Sequence, residues 1–413
     1  MLERYNRAPP SITVPVNPRN RVAYLTISFA LNLSSEIGGV AIAWHVFTLA
    51  HRPLDLGLVG LALFLPSFLF VLPAGVFADR HDRLRIATIC AFTEAAALLG
   101  LIAIVLAHVS ALPVYLAMLL VIGSARAFDA PAIRSILPAL VSPDEYVRVQ
   151  ATYASLREFV RIGGPAVGGL LVALSVPLAL ASAAVLVSIA AFTYPFVTLV
   201  RAPRPLTQAT WHDAFGGLRF IRSQPIIAAA ISLDLFAVLL GGATALLPAF
   251  ASDIFHVGAQ GLGTMRAAPA LGAALVAAVI ARRPLERHIG PTLLATVAVF
   301  GAATIAFALS RDFLLTLALL ALIGGSDMVS VVIRSGLVQL ATPDAMRGRV
   351  NAVENVFIGA SNELGEFESG TLAAFVGVVP AVVIGGIGTL AVIALWAAFV
   401  PQLRRADRFA RAK

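Results

Sequence analysis

Charged side chains inside apolar stretches are the residues of this chain best suited to chemistry. Four arginines lie within such stretches: Arg126, Arg157, Arg161 and Arg266. Ten acidic residues lie within them or at their edges: Glu36, Glu94, Asp129, Glu158, Asp234, Asp327, Glu354, Glu363, Glu366 and Glu368. A carboxyl group that is removed from water and crowded by other carboxyls binds a proton more readily than one in solution. The set therefore indicates a site that holds either a proton or a charged ligand.

A charge at the centre of a bilayer costs about 2.5–3.5 kcal/mol on insertion scales, so such residues are seldom retained without a function. Ion pairs that tie helices together are the alternative explanation for some of them. Arg126 and Asp129, three residues apart on one helix, face each other. They are either a satisfied buried pair or part of a coupling site, and the sequence favours neither.

The apolar stretches that carry these charges indicate membrane-spanning helices. Hydrophobic residues make up 59% of the 413-residue chain and charged residues 13%, whereas soluble domains have about 25% charged residues. About 20 apolar residues cross the ~30 Å hydrocarbon layer, where backbone groups must be paired within the helix. We predict an all-α integral membrane protein with twelve spans, near 22–49, 55–78, 86–108, 111–131, 149–173, 176–199, 226–251, 258–281, 291–309, 313–336, 350–376 and 379–400.

The distribution of basic residues predicts the orientation. Of the 30 lysines and arginines, 24 lie in or beside the termini and the even-numbered loops. By the positive-inside rule both termini are cytoplasmic, in a multi-pass protein of the inner (plasma) membrane. The net charge of +8 is thus explained without a nucleic-acid partner. The expected partners are the lipid bilayer, a small-molecule substrate and protons; the oligomeric state is open, and a monomer suffices for the fold.

An internal repeat divides the chain into two halves. Seven of the twelve residues in 133–144 recur in 333–344, and both segments begin with Ile-Arg-Ser. A repeat of half the chain length in an apolar protein is typical of transporters with symmetry-related halves. We predict a cytoplasmic segment 1–21, a six-helix bundle 22–199, a cytoplasmic linker 200–225, a second bundle 226–400 and a basic tail 401–413. An interfacial amphipathic helix is plausible in this linker, whose aromatic residues would act as anchors at headgroup level; a regulatory site is the less favoured alternative.

Two motifs resemble those of the major facilitator superfamily. After the second span, Gly75, Asp79, Arg80 and Arg83 match its loop signature, although Asp82 stands where the family has glycine. The resemblance implies that Asp79 helps to lock one conformational state, and that Gly75 permits a close helix approach. In the fifth span, Arg161 precedes Gly164, Pro165, Gly168 and Gly169, which resemble the antiporter motif Gly-Pro-x-x-Gly-Gly. In the family this motif accompanies exporters; proline kinks a helix and glycine permits close contact.

Further residues follow from the same resemblance. Arg126 matches an arginine of the fourth helix that the superfamily associates with proton coupling. The first, fourth, seventh and tenth helices line its central cavity, which makes cavity candidates of Asn32, Glu36, Arg126, Asp234 and Asp327. Asp129 joins them as a candidate for substrate or proton coupling. The eleventh span carries a polar stripe that includes Asn362 and Glu366. The stretches 126–132, 347–350 and 361–370 resemble the enterobactin-exporter-like branch.

The sequence therefore predicts a secondary-active exporter of a small amphipathic molecule, such as a siderophore or a drug, driven by proton antiport through alternating access. The alternatives are a proton-coupled uptake symporter and a non-transporting membrane receptor or scaffold. An enzyme is not expected, nor is a cofactor or a metal, because the seven histidines are scattered without metal-ligand spacing. The acidic residues favour a cationic substrate and the arginines an anionic one, so the substrate's charge stays open.

Overall fold

The computed structural model describes residues 18–141, 143–199 and 211–409. The first half contains six long helices: α1 (Pro18–Ala50), α2 (Pro53–Arg80), α3 (Arg83–Leu106), α4 (Leu112–Leu140), α5 (Pro143–Leu174) and α6 (Val176–Thr193), with a 3-10 turn at Tyr194–Phe196. A short helix α7 (Trp211–Ser223) precedes the second half. That half contains α8 (Pro225–Leu240), the short α9 (Leu247–Ala249), α10 (Gly258–Arg282), α11 (Ile289–Leu309), α12 (Phe313–Ala341), α13 (Asp344–Val376), α14 (Val378–Phe399) and the short α15 (Pro401–Arg404).

The helices begin where the sequence provides a capping side chain or an early proline. Asp82 accepts hydrogen bonds from the backbone N–H groups of Leu84 and Arg85, at 2.9 and 3.1 Å, and so caps α3. Ser175 and Asp312 cap α6 and α12 in the same way. Such caps satisfy N–H groups that have no partner in the first helical turn. Asp82, which departs from the family's loop signature, therefore has a local structural role.

Ten helices among the described residues are long and apolar enough to cross a membrane. The two further long helices are α5 and α13, with 32 and 33 residues. Their composition is less apolar than that of the other ten because each carries several charged side chains. The predicted twelve spans thus correspond to twelve long helical segments, of which the two most polar face protein or water on one side.

The seventh span is interrupted. After α8 the backbone passes through Gly241 and Gly242, a 3-10 turn at Ala243–Leu246, α9, and a π turn at Phe250–Ile254. A β-carbon at Gly242 would lie 2.5 Å from the backbone oxygen of Gly365 in α13. Glycine is therefore required where α8 ends against α13, and its poor helix propensity favours the break.

The described part of the predicted linker is helical. Helix α7 packs against α13, and a β-carbon at Gly217 would lie 2.7 Å from the backbone oxygen of Arg349. Arg219 and Arg222 are exposed. The described part of the linker is thus an amphipathic helix seated on the second half.

The two halves meet along two seams, α2 with α13 and α5 with α10. In the first, a β-carbon at Gly370 would lie 2.9 Å from the backbone nitrogen of Gly57. In the second, a β-carbon at Gly169 would lie 2.5 Å from the backbone oxygen of Ala259 and 2.8 Å from the Cα of Gly263. Small residues let helices approach this closely in a membrane. Both contacts lie near the end of the bundle that holds the loop between α1 and α2, which we call the outer end.

Toward the other end, which we call the basic end, α2 and α13 separate. A β-carbon at Gly60 would lie 2.8 Å from a Glu366 oxygen, and one at Gly359 would lie 3.9 Å from the Phe64 ring. At Gly75 and Gly348 no atom lies within 4 Å of the corresponding position. The closest backbone contacts between the halves therefore lie at the outer end, and we call the region between the halves on the basic side of these contacts the crevice. The close helix approach expected at Gly75 is not present in this structure.

A buried triad ties three helices of the second half together. The guanidinium of Arg334 in α12 forms an ion pair with Asp234 in α8, and its Nε lies 3.6 Å from Oε1 of Glu354 in α13. The exposed fractions of the Arg334 and Asp234 side chains are 5% and 9%. One arginine thus compensates two buried carboxylates.

Replacing Gly169 with Ala should separate the halves at the outer end, because the new methyl group collides with backbone atoms of α10. We expect a lower melting temperature of the purified protein, corresponding to a loss of about 1–3 kcal/mol from overpacking. Gly163→Ala, in the same helix, is the matched control: its β-carbon meets nothing within 4 Å. That control should be neutral or stabilising, because alanine favours helix. Equal melting temperatures for the two variants would contradict the close crossing.

Replacing Arg334 with Met should lower the stability by about 3–5 kcal/mol, because it leaves Asp234 and Glu354 buried without a counter-charge. Thermal unfolding monitored by tryptophan fluorescence measures the effect. Arg287→Met removes an exposed arginine of the loop before α11 and should change the melting temperature little. A variant at Arg334 as stable as the parent would refute the triad.

Candidate functional site

The crevice between the halves brings together charged side chains from both. Glu36 of α1 sits directly on the antiporter-like motif of α5, since a β-carbon at Gly164 would lie 2.7 Å from the Glu36 Cβ. Gly168, one turn on, faces Ile37 and Val40 of α1. The motif therefore makes room for an acidic side chain, and its Pro165 carbonyl lies against Gly263 at the seam.

Glu36 is surrounded by positive charge. Its electrostatic neighbours are Arg126 of α4, Arg161 of α5 and Arg266 of α10. Arg266 belongs to the second half and reaches α1, where its Nη1 atom would lie 3.4 Å from a β-carbon at Gly39. The carboxylate of one half thus faces the guanidinium of the other.

The second half contributes mainly acidic side chains to the crevice. Glu363 and Glu366 of α13 direct carboxylate oxygens toward Gly60 of α2, at 3.5 and 2.8 Å from the position of a β-carbon there. Arg266 is an electrostatic neighbour of Glu366, and Arg161 is one of Asp327 in α12. Arginines of α5 and α10 therefore lie among carboxylates that come from α1, α12 and α13. The carboxylates of this arrangement can bind a proton or a cation, and its arginines can bind an anionic group.

Arg126 forms an ion pair with a residue of another helix. Its Nη2 and Nε donate to Oε1 of Glu94 in α3, at 2.6 and 3.0 Å. Asp129 is an electrostatic neighbour of both groups but forms no hydrogen bond, and its Oδ1 is fully buried. The satisfied pair between Arg126 and Asp129 that their spacing allows is therefore absent from this state. Whether Arg126 pairs with Glu94 depends on how α3 is rotated about its own axis, and the sequence does not reveal that rotation.

The structure separates one predicted cavity residue from the others. Asp234 lies in the triad with Arg334 and Glu354, where it binds helices of the second half together. Arg334 was missed as a buried charge because it lies near the edge of its predicted span. The repeat could have revealed it, since Ile333-Arg334-Ser335 copies a segment of the first half.

The predicted polar residues of α1 and of the stripe on α13 have separate surroundings. Asn32 donates to the backbone oxygen of Ser28 at 2.6 Å in its own helix, one turn from Glu36. Asn362 is exposed, and Asn351 accepts from Gln339 of α12 at 2.9 Å. Of the two predicted stripe residues, Glu366 therefore reaches the seam and Asn362 does not.

The predicted locking loop lies at the basic end. Arg83 is buried and its Nε donates to the Ala78 carbonyl at 3.3 Å, whereas Arg80 is exposed. The side chain of Asp79 lies outside the described parts of the structure. The role assigned to Asp79 stays a prediction.

A polar contact joins the halves at the outer end. Nδ1 of His51, directly after α1, lies 3.1 Å from Oδ1 of Asp253 in the π turn before α10. Both side chains are about half exposed, at 54% and 44%. Since the two residues belong to different halves, their contact favours the state in which the outer end is closed.

Comparison with known proteins agrees with this architecture. A family described as "Transmembrane secretion effector" matches residues 17–413. The enterobactin exporters EntS of Citrobacter koseri and Escherichia coli O1:K1 are each 26% identical over 398 residues, which cover 94% of this chain and 93% of theirs.

Solved structures share the fold at lower identity. A variant of the nucleoside transporter NupG superposes with a TM-score of 0.74 at 13% identity and covers 92% of this chain and 100% of its own. A bacterial homologue of the lysosomal transporter Spinster, inward-facing and unoccupied, gives 0.72 at 14% identity, with 96% and 100% covered. The fold, the crevice and these relatives together lead to one conclusion: the chain is a membrane transporter of the major facilitator superfamily and belongs to the transmembrane secretion effector family, within its enterobactin-exporter-like branch.

Proposed function

We propose that this transporter exports a small amphipathic molecule across the plasma membrane in exchange for protons. The observation that carries the proposal is the charged centre of the crevice, where Glu36 rests on Gly164 of the antiporter-like motif and faces Arg266 of the other half. An ionised carboxylate in this position can hold a donor group of the substrate, and it loses this ability when it gains a proton. Proton and substrate then compete for the same carboxylate, which is the requirement for antiport.

The orientation follows from the basic residues. We place both termini and the basic end of the bundle in the cytoplasm, as the positive-inside rule requires. The described state, closed at the outer end, is then open to the cytoplasm and ready to load an export substrate. Alternating access requires the seams at Gly57 and Gly169 to open while the basic end closes.

A catecholate siderophore fits this centre. Two of its relatives are enterobactin exporters, and a catecholate is anionic and aromatic. Arg126, Arg161 and Arg266 supply guanidinium groups, which bind planar anionic oxygens in a bidentate fashion and stack on aromatic rings. Phenolic hydroxyl groups of the catechol would donate hydrogen bonds to ionised Glu36, so a proton on Glu36 would weaken substrate binding.

Export is tested in everted membrane vesicles, whose cytoplasmic face is outside. With enterobactin as the probe and an interior made acidic, vesicles that contain the transporter should accumulate it. Glu36→Gln should reduce accumulation to the level of vesicles without the protein, because the group that exchanges for substrate is lost. Glu286→Gln, in the exposed loop before α11, is the matched control and should leave accumulation unchanged.

Undiminished accumulation by Glu36→Gln at equal protein content would disprove the role of Glu36. Accumulation in right-side-out vesicles driven by an inward proton gradient would instead show an uptake symporter. Failure of several catecholates together with transport of a cationic drug would overturn the assignment of an anionic substrate but not that of antiport.

The contact between His51 and Asp253 predicts a shift in conformational equilibrium. His51→Ala should raise the population open at the outer end about two- to fivefold, because a half-exposed ion pair contributes about 0.5–1 kcal/mol. Electron-spin distances between labels at Ser110→Cys and Arg311→Cys, in a Cys90→Ser background, measure this population.

His256→Ala is the matched control for that measurement. His256 also has a left-handed backbone, with φ of 52° against 49° for His51, but it bonds only the Ser252 carbonyl of its own segment at 2.7 Å. It should leave the distance distribution unchanged. The same distribution for both variants would show that the His51 contact does not hold the outer end closed.

A further inference from the structure

Asp129 lies inside the first half rather than in the crevice. Among the described residues, the titratable and charged groups that face it are Glu94 and Cys90 of α3, Arg126 of its own helix and Tyr194 after α6. The rings of Phe70 and Phe77 of α2 contact the ring of Phe128, the residue before Asp129. The groups that interact electrostatically with Asp129 in the described structure are therefore one ion pair, a thiol and a phenol.

The nearby positive charge is already engaged. Both Nε and Nη2 of Arg126 bond the same oxygen of Glu94, so one guanidinium stands opposite two carboxyl groups. The Oδ1 atom of Asp129 is fully buried without a hydrogen-bond partner. If both carboxyls were ionised, the cluster would carry an uncompensated negative charge at membrane depth, which is costly. A proton on Asp129 removes that charge.

Asp129 and Glu94 compete for one arginine. Asp129 lies three residues after Arg126, a spacing at which helical side chains meet, whereas Glu94 approaches from α3. When Asp129 loses its proton, its carboxylate attracts the guanidinium away from Glu94. Arg126 is also an electrostatic neighbour of Glu36, so this movement changes the positive charge offered to the crevice.

We propose that Asp129 is a proton-binding site of the transport cycle, and that its protonation switches Arg126 between two partners, Glu94 and Asp129. The proposal rests on the proton exchange proposed above and locates one proton outside the crevice. The step is a simple acid–base reaction: a proton from water binds a carboxylate oxygen, and the same proton later returns to water. Asp129 acts on the substrate through Arg126 and is a positioning residue.

Infrared difference spectroscopy on the full-length protein in liposomes tests the proposal without any substrate. The carbonyl stretch of a protonated carboxyl, recorded between alkaline and neutral buffer, should contain a component that disappears in Asp129→Asn. Asp129→Glu should restore a band at a shifted frequency. Glu94→Gln should diminish the Asp129 component at neutral pH, because Arg126 is then free to pair with ionised Asp129. Glu286→Gln should leave every component unchanged.

A neutral-pH spectrum of Asp129→Asn identical to that of the parent would overturn the proposal. So would an undiminished Asp129 component in Glu94→Gln, since a purely structural aspartate would not respond to the loss of a competitor. Gel filtration confirms that each variant is folded, and the Glu94 variant tests the switch with Asp129 in place. If the spectra behave as expected but vesicles transport nothing, the proton site stands and the proposed export fails.

Discussion

An ionised side chain in the membrane interior requires an opposite charge or a proton, and the centre of this transporter is organised by that requirement. Water is not available there to stabilise a lone carboxylate, so each acidic group must find a guanidinium or become neutral. The described structure contains both solutions. Glu94 and Asp234 are paired with arginines, whereas Asp129 has no ion-pair partner among the described residues. The paired groups hold helices together, and the unpaired ones are the candidates for proton exchange.

Small residues determine where these charges can meet. Gly164 gives Glu36 its position against α5, and Gly60 admits the carboxylates of α13 to the seam with α2. Gly169 and Gly263 bring the halves together at backbone distance without filling the crevice with side chains. The antiporter-like motif therefore provides close helix packing and no titratable group of its own. Its glycines create the space in which a carboxylate from one half lies near an arginine from the other.

Much of this architecture could be predicted from the sequence, because it depends on local patterns. The apolar runs, the half-length repeat and the Gly-Pro-x-x-Gly-Gly spacing predicted the fold, which the family match confirms. Side-chain partners were harder, because they depend on how each helix is rotated. Arg126 bonds Glu94 of another helix rather than its neighbour Asp129. Arg334 lies inside α12, which continues to Ala341, beyond the end of the apolar run. The close helix approach expected at Gly75 is not present in the described structure, where nothing lies within 4 Å of its β-carbon position.

The central claim is that the crevice holds a proton or a substrate but not both. The most direct measurement is the change in proton binding when enterobactin is added to the purified transporter in weakly buffered detergent solution, followed with a pH-sensitive dye. The account predicts release of about one proton or more per molecule bound at neutral pH, with affinity that weakens as the solution is made more acidic. Binding without proton release, with an affinity independent of pH, would contradict it.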